Sequence, residues 1–368
     1  MTERILDISD RPARLSVRND LLVIEFPCVA AASPPPAGIS GESGDDTSPL
    51  RPAGEETGVT VKRRARDPDS GLRARDTQAQ TVPLADLAVL IVSHPQVSFT
   101  HAVLAGIAQA GGIFIACNEK HMPAAMLLPL ETHSTQAERF SRQAAAPLPL
   151  RKRAWQQVVQ AKIRAQARLL SEVSGRKSGI PNDCGLENLA AQVRSGDPQN
   201  LEARAARIYW KNLFGEDDPA GGGQAFRRDP EGEGINPHLN YGYAILRATV
   251  ARALCAAGLH PSLGLHHHNR YDAFCLADDL MEPFRPIVDR VVANLNDNRR
   301  GGPASETGSL PLDKDSKKTI LEGLLGRFDC DGESRTLFDW VSRAASSLAA
   351  VIEGSQQKLT LPSLTPES

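Results

Sequence analysis

Residues 266–286 run His-His-His-Asn-Arg-Tyr-Asp-Ala-Phe-Cys-Leu-Ala-Asp-Asp-Leu-Met-Glu-Pro-Phe-Arg-Pro. Imidazoles on a short turn lead into a helix that carries carboxylates. Asp279 and Glu282 are three apart, so they are neighbours on a helix surface. A histidine nitrogen with clustered carboxylate oxygens is a hard donor set of the kind that suits Mg²⁺ or Mn²⁺. A third carboxylate would have to arrive from elsewhere in the chain. His266, His267 and His268 cannot all face one site, and their spacing matches neither H-E-x-x-H nor a Cys/His zinc pattern. A solvated face is the bland reading of Asp278, Asp279 and Glu282. Against it, Phe274, Leu276, Ala277, Leu280, Met281 and Phe284 surround them. A helix that apolar is expected to be buried, and buried carboxylates need partners or a metal.

The elements that must position these groups fall into two parts. Arg14–Arg18 and Leu21–Phe26 read as strands joined at Asn19-Asp20. Strand character returns at Thr81–Leu84, Leu87–Val92, Ile113–Cys117 and Ala125–Pro129, with a helix from about Thr100 to Ala110 ended by Gly111-Gly112. Between them, about residues 30–80 are rich in Pro, Gly, Ser and charge and lack apolar periodicity, which reads as a disordered insertion. After Pro129 the pattern becomes helical. Trp155, Val158, Val159, Ile163, Ala167 and Leu170 recur at helical spacing. Asp197-Pro198 announces a helix from Leu201 to Phe214, and Ala273–Asn296 must bend at Pro283 and Pro286. Lys317–Phe328 and Thr336–Ile352 complete the set. The expected fold class is α+β: a small N-terminal β-rich, sandwich-like domain over 1–130, then an all-α catalytic domain over 131–355 and a tail over 356–368.

Hydrophobic residues make 41% of the 368, charged residues 23% and aromatics 5%. A core is available, built mainly from Ala, Leu, Val and Ile. The net charge of -2 predicts no partner by itself. Between Arg151 and Lys211, however, basic residues outnumber acidic ones. Arg151, Lys152, Arg153, Lys162, Arg164, Arg168, Arg176 and Lys177 form a candidate nucleic-acid-binding footprint. The six cysteines show no C-x-x-C, which fits a reducing cytoplasm rather than a disulfide framework or zinc knuckle. No signal peptide and no apolar run of membrane-spanning length is visible.

Several blocks then resemble one family. They are Val92-Ser93-His94-Pro95-Gln96, Glu119-Lys120-His121-Met122-Pro123, Asn200-Leu201-Glu202-Ala203, Leu239-Asn240-Tyr241-Gly242-Tyr243-Ala244, Leu263-Gly264-Leu265-His266-His267 and Asp279–Pro286. In this order they resemble the CRISPR-associated endonuclease and integrase family Cas1, most closely its type II branch, and cover most of the chain outside the insertion and the tail. The resemblance implies a catalytic metal site of Glu202, His267 and Glu282 holding Mg²⁺ or Mn²⁺. Asp279 falls where the family often has a supporting acid, and His266 is the alternative to His267. Glu202 taken alone is unremarkable, since acids are common in a first helical turn. The implied reaction belongs to spacer acquisition in antiviral defence. A prespacer 3′-hydroxyl attacks a phosphate of the CRISPR repeat, a transesterification. The implied partners are prespacer and repeat DNA, a second copy of the chain through the N-terminal domain, and the small adaptation protein Cas2. Two other classes stay open: a catalytically silent DNA-binding scaffold, and a zinc hydrolase using the histidines.

Overall fold

The computed structural model describes residues 4–27, 78–119, 122–129, 133–215, 226–300, 311–330, 332–361 and 365–366. The N-terminal part contains β1 (Arg4–Ile8), β2 (Ala13–Arg18), β3 (Leu21–Phe26), β4 (Gln78–Pro83), β5 (Leu87–Val92), β6 (Val97–Phe99), α1 (His101–Gln109), β7 (Ile113–Cys117) and β8 (Pro123–Leu127). They form two four-stranded sheets, ordered β1-β5-β7-β8 and β4-β3-β2-β6. Asn19 and Asp20 both take positive φ, 49° and 59°, which joins β2 and β3 by a tight two-residue turn whose twist matches the strands. β5 reads Leu-Ala-Val-Leu-Ile-Val and is buried at every position, as a strand covered on both faces must be. Leu90 and Val92 share a core with Leu15, Leu22, Ile24, Val103 and Ile107. Val89 and Ile91 belong instead to the core that continues through Trp155, Tyr209 and Phe284 of the helical part. The first sheet is therefore covered by the other sheet and α1 on one side and by helices on the other.

The segment read as an insertion lies outside the described residues except for Gln78–Gln80. Those three are strand, pairing with Ile24–Phe26, so β4 starts before the Thr81 that the residue pattern suggests.

The rest is mostly helical: α2 (Gln136–Ala144), α3 (Leu148–Ser178), α4 (Leu186–Gln192), α5 (Leu201–Phe214), α6 (Asn236–Ala256), α7 (Cys275–Met281), α8 (Arg285–Arg300), α9 (Lys314–Leu324) and α10 (Leu337–Glu353). The break expected at the two prolines is real. Glu282–Phe284 form a single 3-10 turn between α7 and α8, where Pro283 has no N–H to continue the ladder.

The all-helical expectation for this part needs correction. β9 (Arg327–Cys330) and β10 (Glu333–Thr336) form a hairpin, and β11 (Thr365–Pro366) adds to its other edge. The Asp331-Gly332 pair in the sequence is the hairpin signal, and Gly332 takes φ 81°. Trp340 Nε1 donates to the Phe328 carbonyl at 3.0 Å and ties the hairpin to α10. The tail is also held: Leu359 N–H donates to Gln157 Oε1 on α3 at 2.8 Å. No helix is long and apolar enough to cross a membrane among the described residues. Among the described residues, Cys117, Cys184, Cys255, Cys275 and Cys330 form no disulfide.

Candidate active site

Each expected ligand is set by a local device. Glu202 lies in the first turn of α5. The Asp197 carboxylate accepts the N–H groups of Leu201 and Glu202, both at 3.0 Å, and so fixes where that turn begins. Glu282 stands on the proline-broken turn between α7 and α8 and is 5% exposed. His267 lies on the loop before α7, and Asp279 shapes that loop. The Asp279 side chain is fully buried and accepts the backbone N–H groups of Leu265 (2.6 Å), His266 (2.9 Å) and His267 (3.2 Å). Its Oδ1 also lies 2.6 Å from His267 Nδ1. With Nδ1 so engaged, the second ring nitrogen, Nε2, is the one left to act as a ligand. Gly264 makes the fold of this loop possible, because a Cβ there would stand 2.2 Å from the His267 carbonyl oxygen.

The three histidines take three roles. His266 lies flat on Trp155, with ring centres 4.5 Å apart. His267 meets the same indole edge-on at 5.7 Å. His268 turns Nδ1 back to the His266 carbonyl. The cluster therefore does not converge on one point.

Glu202 and Glu282 do converge. Lys162 Nζ, from α3, lies 2.6 Å from Glu202 Oε1 and 2.6 Å from Glu282 Oε2. Arg285 holds the other oxygen of Glu282, Oε1, at 2.8 Å. Burial alone would raise the Glu282 pKa, but Arg285 and Lys162 outweigh it and hold the carboxyl down at about 2. Burial works against the charged form of Lys162, and the two glutamates reverse that, so its pKa stands above the ordinary lysine value. Arg285 also lies over the Tyr243 ring, 4.1 Å from its centre. Behind it, buried Asp289 accepts hydrogen bonds from Tyr209 (2.8 Å) and Tyr243, yet desolvation still raises its pKa to about 6.

Among the described residues, no three His, Cys, Asp or Glu side chains are gathered as a ready metal cage. The place where the glutamates meet is filled by the Lys162 ammonium. Two observations nonetheless fit a divalent ion. A cation already occupies the point between the carboxylates. In addition, Glu282 Oε2 is buried in contact with that cation but receives no hydrogen bond of proper direction. Carboxylate, carboxylate and imidazole are donors suited to Mg²⁺ or Mn²⁺.

His267 makes the site pH-sensitive. The Asp279 hydrogen bond chiefly raises its pKa, burial opposes this, and the charges of Asp279, Glu282 and Glu202 add to the rise. The folded pKa thus lies above the ordinary value of 6.5. The protonated form stabilises the fold fully below that value, and this contribution is lost as pH rises through the folded pKa. A ligand nitrogen must be unprotonated. Mn²⁺ affinity should therefore climb as pH rises from 6.5 upward, and His267→Gln should flatten the climb. Mn²⁺ titration across that range checks this, and a wild-type affinity independent of pH would contradict it.

The basic residues expected to form a DNA footprint are only partly an open face, and Lys162 does not lie on it. Lys162 is buried between two carboxylates and is no phosphate contact in this state. Its charge resembles its neighbours' in sequence, but its face of α3 looks inward. Arg151 donates to the Leu265 carbonyl, Arg176 to Asn294, and Lys177 pairs with Asp297. Arg153 and Arg164 are exposed. With Gln156, Gln157, Gln160 and Lys358 they line one groove between α3 and the C-terminal segment. Sequence reasoning also missed Arg285 as a site residue, although its three-residue spacing from Glu282 is the available signal. For Trp155 the helical spacing signals only a core position, and the structure makes it a platform for His266 as well.

Three comparisons with known proteins bear on this geometry. The family model described as CRISPR associated protein Cas1 matches residues 64–324. The CRISPR-associated endonuclease Cas1 of Neisseria meningitidis serogroup C (strain 8013) is 32% identical over 293 residues, covering 78% of this chain and 89% of that protein. Among solved structures, a casposase bound to integration product superposes with a TM-score of 0.70 at 17% identity, covering 97% of this chain and 92% of that one. A Cas6-RT-Cas1–Cas2 complex gives 0.63 at 16% identity, covering 98% of this chain and 36% of that one. At such identities the structural matches speak for the fold.

Proposed function

Because this chain belongs to the Cas1 family, we propose that it is a divalent-metal-dependent DNA endonuclease and integrase of CRISPR spacer acquisition. The observation that carries the reading is the meeting of Glu202 and Glu282 on one cation, beside a histidine whose Nδ1 is taken by a buried aspartate. Glu202, Glu282 and His267 would hold Mg²⁺ or Mn²⁺, which when bound polarises a phosphate and stabilises charge on a departing 3′-oxygen. The chain's own groups do the rest. Asp279 keeps the Nδ1 side of His267 occupied and so orients Nε2 toward the site. Arg285 keeps Glu282 ionised. Trp155 supports the loop from below, with His266 stacked on its ring and His267 edge-on to it. In the reaction, a prespacer 3′-hydroxyl oxygen would form a new bond to a repeat phosphorus as that phosphorus's bond to the adjoining 3′-oxygen breaks; the attacking hydroxyl gives up its proton and the departing 3′-oxygen takes one up, so bonds and charge balance. The finer expectations, a sandwich-like N-terminal half that pairs two copies and assembly with a Cas2 protein, belong to this same proposal. The names of the casposase and Cas1–Cas2 neighbours support it by analogy.

A silent scaffold is the second reading, favoured by the Lys162 ammonium that occupies the point between the glutamates. Branched DNA and a prespacer–repeat pair, each incubated with purified protein and Mg²⁺ or Mn²⁺, separate the two. Cleavage or strand transfer that EDTA abolishes supports the enzyme. Tight binding with neither reaction supports the scaffold.

The groove on α3 gives a further expected outcome. Replacing Arg153 and Arg164 together with glutamine should weaken binding to all sequences alike. It should also reduce the log–log salt slope by up to about two units if both touch phosphate. Binding isotherms at several salt concentrations check it, and an unchanged slope would place the footprint elsewhere.

A further inference from the structure

Glu202 and Glu282 are brought by different elements to one partly dry point, where two carboxylates repel each other. Lys162 offsets this from a third element, touching Oε1 of one and Oε2 of the other. Its side chain is 11% exposed. The two glutamates are thus already balanced by two cations, Lys162 and Arg285. Those cations are held differently. Arg285 grips the far oxygen of Glu282 at 2.8 Å and lies over Tyr243, which fixes its planar fork. Lys162 is a point charge on a flexible stem: it donates one hydrogen bond, to Glu202 Oε1 at 2.6 Å, while its contact with Glu282 Oε2 lacks hydrogen-bond direction. A divalent ion entering beside both cations would give the site excess positive charge at distances where repulsion is strong. One cation must leave, and Lys162 is the one free to do so.

We infer that Lys162 is the resident counter-ion of the site: it holds Glu202 and Glu282 assembled in the metal-free protein, and a divalent ion binds by displacing it. The inference rests on the metal reading above and goes beyond it by making Lys162 a positioning residue that competes with the ion.

The test uses the full-length chain, with Mn²⁺ as the probe. Wild type and Lys162→Met are titrated by the electron paramagnetic resonance of free Mn²⁺, and thermal unfolding is followed with and without the ion. The variant should bind Mn²⁺ about tenfold or more tightly, because no charge need be expelled. It should unfold roughly 5–10 °C lower without Mn²⁺ and recover with it. In wild type, acetic anhydride labelling read by mass spectrometry should spare Lys162 until Mn²⁺ saturates the protein. Lys318, 68% exposed, should label throughout. If Lys162→Met does not fold, the wild-type labelling decides. Mn²⁺ binding that leaves Lys162 protected, or a variant that binds no more tightly, overturns the displacement while leaving the metal reading intact. Wild type that binds no Mn²⁺ overturns the metal reading, and this inference with it.

Discussion

His267→Ala and Glu282→Gln should each lower metal-dependent DNA cleavage and strand transfer by about a thousandfold or more, because each removes a proposed ligand of the ion that would activate the reacting phosphate. DNA affinity should stay within about threefold of wild type, since removing a negative charge does not weaken attraction to phosphate. Glutamine is chosen at 282 because alanine would also leave Lys162 and Arg285 facing an empty, partly buried space. His266→Ala is the control. It loses the stack on Trp155 but no ligand, so its effect should be much smaller. Single-turnover cleavage and equilibrium binding on the same preparations separate the two quantities. Full activity in His267→Ala with loss in His266→Ala would move the ligand by one residue. Full activity in both would remove the histidines from the mechanism.

Asp279→Ala, on α7, should be the substitution that most destabilises the loop before that helix. It strips the acceptor from three backbone N–H groups and from His267 Nδ1 at a site with no exposure. Buried donors left without partners cost much of their desolvation energy, and several at once should amount to about 3–5 kcal/mol. Asp279→Asn should do little better, because its amide group would turn donors toward donors. Activity should fall with either, since the imidazole loses the partner that orients it. Urea denaturation read by circular dichroism measures the first effect. A loss below about 1 kcal/mol would mean that the loop holds its shape without this carboxylate.

Much of this architecture is legible in the residues. The apolar run Leu87–Val92, the turn at Asn19-Asp20, the Asp197 signal before α5 and the proline break at Glu282 all act through local chemistry, and local chemistry is what a sequence displays. The candidate ligands Glu202, His267 and Glu282 are picked out by spacing and resemblance. What escaped depends on which way a helix faces or on distant pairing. Lys162 reads like its basic neighbours because charge is visible in sequence and orientation is not. β1 is only five residues long and gains its meaning from pairing with β5, some eighty residues on, so nothing local marks it. The β9–β10 hairpin was covered by helical residues on both sides, although its Asp-Gly pair was in plain view. The choice between His266 and His267 is a matter of one residue in a turn, and Asp279 is what distinguishes them in the folded chain.

The central claim is that Glu202, His267 and Glu282 hold one divalent ion together. Crystals of the protein grown with Mn²⁺ and measured near the manganese absorption edge test it most directly. A single anomalous peak is expected within about 2.0–2.6 Å of a carboxylate oxygen from each glutamate and of His267 Nε2. An anomalous peak bound elsewhere on the chain, with these three side chains unliganded at a saturating concentration of the ion, would contradict it.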